Sequence, residues 1–280
     1  MATSFRYAMC NEAFEGRPFG AVCRDLKSIG YDGIEIAPYT LADDPMDLNA
    51  ARRRELRDLM IDEGIDFVGL HWILVGPQTL HVTTPDQTLR ERSWRYVHNL
   101  VELCSDLGPG GVLVFGSPKQ RSATGGSTEE EAKRRFIEGL ADLAPYAEER
   151  GVTILVEALP YSQSNVVHTL AEAATVVREI NSPAVRTMFD CHNAEDETEA
   201  HSELIERNFD LIRHIHVNEM DGRRPGTGNY DFRSLFRTLD RLGYRGWISL
   251  EVFDFTPDPD TVALESIKYL KSQAETALAA

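Results

Sequence analysis

The 280 residues carry a formal net charge of −16 and are 42% hydrophobic; this describes a globular chain with an acidic surface and argues against a nucleic-acid partner, whose phosphates call for a basic face. No apolar run reaches the ~18 residues of a membrane span, and the opening MATSFRYAMCNEAF lacks the charged start and apolar stretch of a signal peptide. Cys10, Cys23, Cys104 and Cys191 contain no CxxC pair, so the expectation is a cytoplasmic protein with free thiols, no structural zinc and no membrane partner.

The chain then alternates strand-like and helix-like runs. FRYAMCNEAF (5–14) reads as a first strand entering a loop, and Pro18 opens a helix that Gly30 stops. YDGIEIAPY (31–39) is a second strand, followed by a helix capped by Asn49 and closed by Gly64. IDFVGLHWIL (65–74) is the third. The long helix after it is expected to start at Thr84 as cap, with Pro85 in its first position. GVLVFGSPKQR (111–121) gives strand four, and the helix after it opens with three acids that suit its dipole. Pro145 is expected to kink that helix or mark its last turns. Strands five to eight fall at 152–160, 184–193, 211–220 and 245–255, each followed by a helical run.

Eight strands alternating with eight helices call for parallel pairing through helical crossovers. Eight such units in about 250 residues call for a closed (β/α)8 TIM barrel. Residues 1–280 therefore read as a single domain. The open doubly wound alternative would place a glycine-rich phosphate turn after strand one, and CNEAFEGRPFG is not one.

Functional side chains of such barrels gather at the C-terminal ends of the strands. Glu157, Asp190, His216 and Glu251 end the otherwise apolar runs TILV, RTMF, RHI and WISL. One acid at a strand end is ordinarily a helix cap or a solvated side chain. Four potential ligands on four consecutive strands point instead to one shared metal ion. Three carboxylates and an imidazole make an oxygen-rich, fairly hard site, suited to one divalent ion with open coordination positions: Mn²⁺, Mg²⁺ or Co²⁺. His71, in VGLHW, either faces the pocket or is a packed structural histidine. Trp72 beside it offers a face for a sugar or a piece of core. Glu35 either reaches the mouth or pairs with a neighbour, and His214 is expected to point into the barrel below His216, within reach of a carboxylate.

The four strand ends, the motif H-x-N-E-x-x-G-R-R-P-G-x-G after strand seven and SLEVFDF on strand eight resemble the xylose isomerase-like barrel superfamily, and within it the ketose 3-epimerases. The resemblance covers essentially the whole chain. It implies a metal-dependent sugar epimerase or isomerase in which Glu157 and Glu251 bind the metal and shuttle the proton, with Asp190 and His216 as the other two ligands. It further implies substrate contacts from His192, one residue beyond Asp190 plus Cys191 where the family has two between, and from Arg223, with Arg224 able to take its place. Gln163 stands where the epimerases carry a further glutamate. A ketose would bind through its carbonyl and neighbouring hydroxyl, one glutamate would remove the proton beside the carbonyl, and the other would return one to the opposite face of a metal-stabilised enediolate. Returning the proton to the other carbon would make an aldose–ketose isomerase. Expelling a leaving group would make a lyase or dehydratase on a keto-sugar or keto-inositol.

An abasic-site endonuclease shares the superfamily, but it needs extra histidines after strands four and seven. Here strand four ends VFGSPKQ, and the strand-seven loop reads PGTGNYDF. A non-enzymatic barrel is the remaining alternative, separable by metal content. The partner implied is a small-molecule sugar. Pairing of such barrels near the active-site mouth leaves a homo-oligomer open.

Overall fold

The computed structural model describes residues 5–77 and 79–279. Eight parallel strands close into a barrel in sequence order: β1 (Arg6–Cys10), β2 (Gly33–Ile36), β3 (Asp66–Leu70), β4 (Val112–Phe115), β5 (Thr153–Val156), β6 (Val185–Asp190), β7 (Ile212–Val217) and β8 (Trp247–Leu250). Closure is direct, with Arg6 opposite Trp247 and Met9 opposite Leu250. The helices are α1 (Phe19–Ile29), α2 (Ala50–Glu63), α3 (Gln87–Leu107), a single turn α4 (Pro118–Arg121), α5 (Glu129–Glu149), α6 (Leu170–Ile180), α7 (His201–Arg207), α8 (Phe232–Arg241) and α9 (Pro259–Leu278). The (β/α)8 barrel expected from the alternation is the fold observed. Among the described residues, no helix is long and apolar enough to cross a membrane.

Local chemistry sets the helix ends. Asn49 accepts a hydrogen bond from the Arg52 amide, and Gly64 leaves α2 in the left-handed region at φ 68°. Thr128 and Glu131 close a reciprocal capping box on α5. Pro145 lies inside α5 without ending it. The expected strand spans overrun the observed ones at several ends, and two boundaries differ for a local reason. The cap of α3 is Asp86, whose carboxylate accepts from the Leu89 amide; Thr84 instead receives the Asp86 amide in a lead-in turn. Strand four stops at Phe115, because Ser117 turns left-handed at φ 48° and Pro118 starts α4.

Two layers of side chains follow from the pleat. The shell between strands and helices is one continuous apolar core. Inside the barrel, Ala8, Val68, Val112, Val114, Leu155 and Met188 form a smaller apolar cluster. The rest of the lumen is polar: Cys10, Glu35, His214, His216 and Ser249 are all buried. The register between β6 and β7 shifts so that Met188 faces His214 and Asp190 faces His216. That bulge keeps both histidines on the inner face.

Candidate metal centre and active site

The ends of β5 to β8 bring four side chains to one point. Glu157 follows β5 directly, Asp190 is the last residue of β6, His216 is next to last in β7, and Glu251 follows β8. One ligand atom from each lies within 4.8 Å of the others. His216 Nδ1 stands 3.0 Å from Glu251 Oε2 and 3.6 Å from Asp190 Oδ2. All four residues are buried.

Three carboxylates crowded out of water repel one another, and the protonation behaviour records it. Burial, then the charges of Glu251 and Asp190, push the Glu157 carboxyl up to about 8. Burial raises Glu251 as well, against the pull of His216. Burial also pushes on Asp190, but the His216 hydrogen bond and charge outweigh it and hold that carboxyl below its ordinary value. A divalent cation relieves this crowding, and the convergent oxygen-rich donor set fits one.

Behind the quartet lies a second layer. His216 Nε2 donates to Glu35 Oε1 at 3.0 Å, and His214 Nε2 donates to Glu35 Oε2 at 2.8 Å. Glu35 is fully buried. Burial opposes its ionisation, yet the two histidines hold it well below the carboxylate range. An ionised Glu35 keeps the proton of His216 on Nε2 and leaves Nδ1 facing the acids, which is the orientation a metal ligand needs. Replacing Glu35 with Gln is therefore expected to weaken divalent-metal affinity about 10- to 100-fold while His214 and the barrel stay folded. Calorimetric titration with Mn²⁺ measures this, and unchanged affinity would remove Glu35 from the centre.

Neutral groups fix the two glutamates. Asn193 Nδ2 donates to Glu157 Oε1 at 3.0 Å and to Asp190 Oδ2 at 3.2 Å. Trp72 Nε1 donates to Glu251 Oε1 at 2.8 Å, from a backbone held at φ 50°. Gly116 makes room for Glu157: a Cβ there would sit 2.2 Å from Oε2. Asn218 ties the strand ends together, donating to the Glu251 carbonyl and accepting from the His192 amide. Below Glu157, the buried guanidinium of Arg121 donates to the carbonyls of Phe115, Glu157 and Val167. Burial pulls Arg121 down to about 10, so it remains a cation at neutral pH.

Glu157 and Glu251 of the quartet line a cavity of about 630 Å³. Of the other residues expected there, Gln163 lines the cavity and donates to Asn193 Oδ1 at 3.0 Å. His192 lines it too, its Nδ1 donating to the Met220 carbonyl and its ring against Phe253. His71 reaches the wall while fully buried, with Nε2 2.8 Å from Glu12 Oε2 and Nδ1 without a hydrogen-bond partner among the described residues. Arg223 stands apart: Asp221 captures its guanidinium at 2.7 Å, and it is not among the cavity walls. Arg224 pairs with Glu265 on α9. Within the strand-seven motif it is Glu219, buried, that organises the loop, accepting from the amides of Gly226 and Tyr230. A side chain at Gly228 would collide with it.

Sequence reasoning did not single out Asn193, Asn218, Gly116 or Arg121. The first two sit in the strand-end runs DCHN and HVNE, where an amide beside a ligand is the available signal. Arg121 in PKQR reads as an ordinary surface cation and carries no such signal.

Residues 23–273 match the model of the xylose isomerase-like TIM barrel family. Fructoselysine 3-epimerase of Shigella flexneri is 25% identical over 84% of this chain and 85% of its own length. D-psicose 3-epimerase of Agrobacterium fabrum is 23% identical over 84% of this chain and 79% of its own. Among solved structures, apo 3-keto-D-glucoside 4-epimerase from E. coli superposes with a TM-score of 0.82 at 20% identity, covering 96% of this chain and 100% of that one.

Proposed function

The chain belongs to the xylose isomerase-like TIM barrel family, and we propose that it is a divalent-metal-dependent epimerase or isomerase of keto-sugars. The observation that carries this reading is the convergence of Glu157, Asp190, His216 and Glu251 within 4.8 Å, with both glutamates lining a cavity. Relatives named as epimerases of fructoselysine and psicose support it.

When bound by these four residues, a divalent ion, Mn²⁺ by preference with Mg²⁺ or Co²⁺ as substitutes, would supply the Lewis acidity that makes the hydrogen beside a carbonyl acidic. The residues supply the rest. Glu157 and Glu251 come from opposite flanks of the quartet, β5 and β8, so a planar sugar intermediate between them meets a carboxylate on each face. One removes the proton and the other delivers one from the opposite side, which inverts the carbon. Asn193 and Trp72 each hold one oxygen of a glutamate, fixing the direction of transfer. Gln163 and His192 offer hydrogen-bonding groups to sugar hydroxyls. The four free, buried cysteines accord with a reducing cytoplasm, and the acidic surface with a small-molecule rather than a nucleic-acid partner.

The deciding experiment incubates the Mn²⁺-loaded protein with a panel of ketoses and keto-sugars in D₂O. The expected result is deuterium at the carbon beside the carbonyl together with an inverted or isomerised product. Loss of water or of an aglycone without exchange into recovered sugar would replace this reading with a lyase.

A further inference from the structure

A second set of donors stands on the other side of Glu251. The Cys10 thiol, one oxygen each of Glu12 and Glu251, and a ring nitrogen of His71 all lie within 4.8 Å of one another, and all four residues are buried. Only Glu251 belongs also to the quartet. The others reach this place from separate strands: Cys10 ends β1, Glu12 lies in the 3-10 turn Asn11–Phe14 after it, and His71 follows β3. The barrel itself assembles the donors, so no CxxC spacing is required.

The set is held from behind. Asn11 Oδ1 accepts from the Ala37 amide at 2.8 Å and its Nδ2 donates to Thr40 Oγ1 at 2.8 Å, which pins the turn that carries Glu12. The His71 amide donates to the Ile36 carbonyl at 3.1 Å. Ser249 Oγ, fully buried, stands 3.7 Å from Cys10 Sγ. The His71 ring is set as a ligand would be. Glu12 Oε2, 2.8 Å from Nε2, keeps the proton of the neutral ring on that nitrogen. Nδ1 is left with a lone pair, buried and without a hydrogen-bond partner among the described residues. It faces into the set: Glu35 Oε1 is 3.9 Å away, and an oxygen of Glu35 lies within 4.8 Å of the Cys10 thiol. A carboxylate behind one imidazole nitrogen and an unmet lone pair at the other is how Glu35 presents His216 to the quartet, here repeated on the opposite flank.

Charge points the same way. Glu12, Glu35, Glu157, Asp190 and Glu251 bury five carboxylates around the barrel mouth, more than one divalent ion balances. We infer that Cys10, Glu12, His71 and Glu251 hold a second divalent cation, with Glu251 bridging it to the first. A carboxylate offers about four acceptor positions, and Trp72 Nε1 takes one of them at Oε1, so Glu251 can serve both ions. The His71 and His216 rings stand 6.4 Å apart at 89°, which leaves room for two ions at the about 3.5–4 Å of paired sites. The two donor sets select different metals. Three carboxylates and an imidazole suit Mn²⁺, whereas a thiolate, an imidazole and two carboxylates suit the more thiophilic Zn²⁺ or Co²⁺, whose binding sends the thiol proton to solvent. The second ion goes beyond the sugar reading and shares only Glu251 with it.

Titration of the chelator-stripped, full-length protein with Co²⁺, followed by absorption and by metal analysis after gel filtration, tests the inference. The expected result is two Co²⁺ per chain, one of them accompanied by a thiolate-to-cobalt charge-transfer band in the near ultraviolet. Cys10→Ala should abolish the band and leave one ion. His71→Gln should weaken the band-forming ion at least about tenfold and spare the other. Circular dichroism verifies folding, and His71→Gln carries the test by itself if the alanine variant does not fold. A single Co²⁺ per chain, or a band that survives both substitutions, overturns the inference. Asp190→Asn then separates it from the first centre. If that variant loses the single ion, the quartet stands alone. If the single ion stays, or if the parent takes up none, the quartet falls with the inference.

Discussion

Glu157→Gln and Glu251→Gln are each expected to lower deuterium exchange into a keto-sugar by about 10²- to 10⁴-fold, the range set by loss of a positioned general acid or base. The protein should remain folded, because glutamine keeps the hydrogen bonds that Asn193 and Trp72 donate to these positions. The two variants are distinguishable in the metal-free state. With its carboxyl pushed up to about 8, Glu157 is protonated at pH 6 and forced to ionise among Asp190 and Glu251 at pH 9. Glutamine resembles the protonated form. The metal-free Glu157→Gln protein should therefore match the parent's melting temperature at pH 6 and exceed it at pH 9. Exchange within tenfold of the parent in both variants would remove the two glutamates from the reaction.

The second large effect is on metal affinity. Burial works against protonation of His216, yet Glu35 and Glu251 outweigh it and raise its pKa well above the ordinary value. Near neutral pH the metal-free centre thus holds a proton on Glu157 and another on His216, and both must leave before Oε and Nδ1 can act as ligands. Metal uptake at pH 7 should release about two protons, so that apparent affinity climbs by up to about 100-fold per pH unit and rises less steeply once Glu157 has ionised above about 8. Titration calorimetry in buffers of differing protonation enthalpy counts the protons directly. The sign for stability is the reverse. A group whose folded pKa lies above its unfolded value contributes stability that is lost as pH rises through the folded pKa, and Glu157 and His216 both have that sign. Metal-free protein should melt lower as pH rises from 5 to 9, while the gain in melting temperature on adding Mn²⁺ grows. Affinity that stays flat between pH 6 and 8 would contradict the protonated centre.

The barrel was legible in the sequence because start and stop chemistry recurs along the βα units, such as Asn49 and Gly64 around α2 or the acidic first turn of α5. The quartet was legible because each member interrupts an apolar run where a barrel strand ends. Glu35 interrupts such a run too, in GIEIAP, but its partners His214 and His216 arrive from β7, across the lumen, and no local pattern carries that information. Arg223 differs: the family resemblance implied a substrate contact, whereas Asp221 two residues earlier pairs with its guanidinium. The span expected for strand four was too long because GVLVF shades into Ser117–Pro118 with no polar break, and only the left-handed turn at Ser117 ends it. The α3 cap was misplaced by two residues because Thr84 and Asp86 are both good caps, and the choice between them depends on tertiary contacts of the lead-in turn.

Arg121 gathers three main-chain oxygens from separate segments around one planar ion. Lysine could not replace it, since a single ammonium on a flexible stem cannot span that triangle, and an apolar side chain would take this donor from all three oxygens, of which, among the described residues, Val167 alone keeps a second, the Leu159 amide. The identity of this position is thus dictated by backbone shape rather than by electrostatic need. A residue that looks interchangeable beside Lys119 and Gln120 behaves as a rivet, and tolerance to change should fall abruptly from 120 to 121.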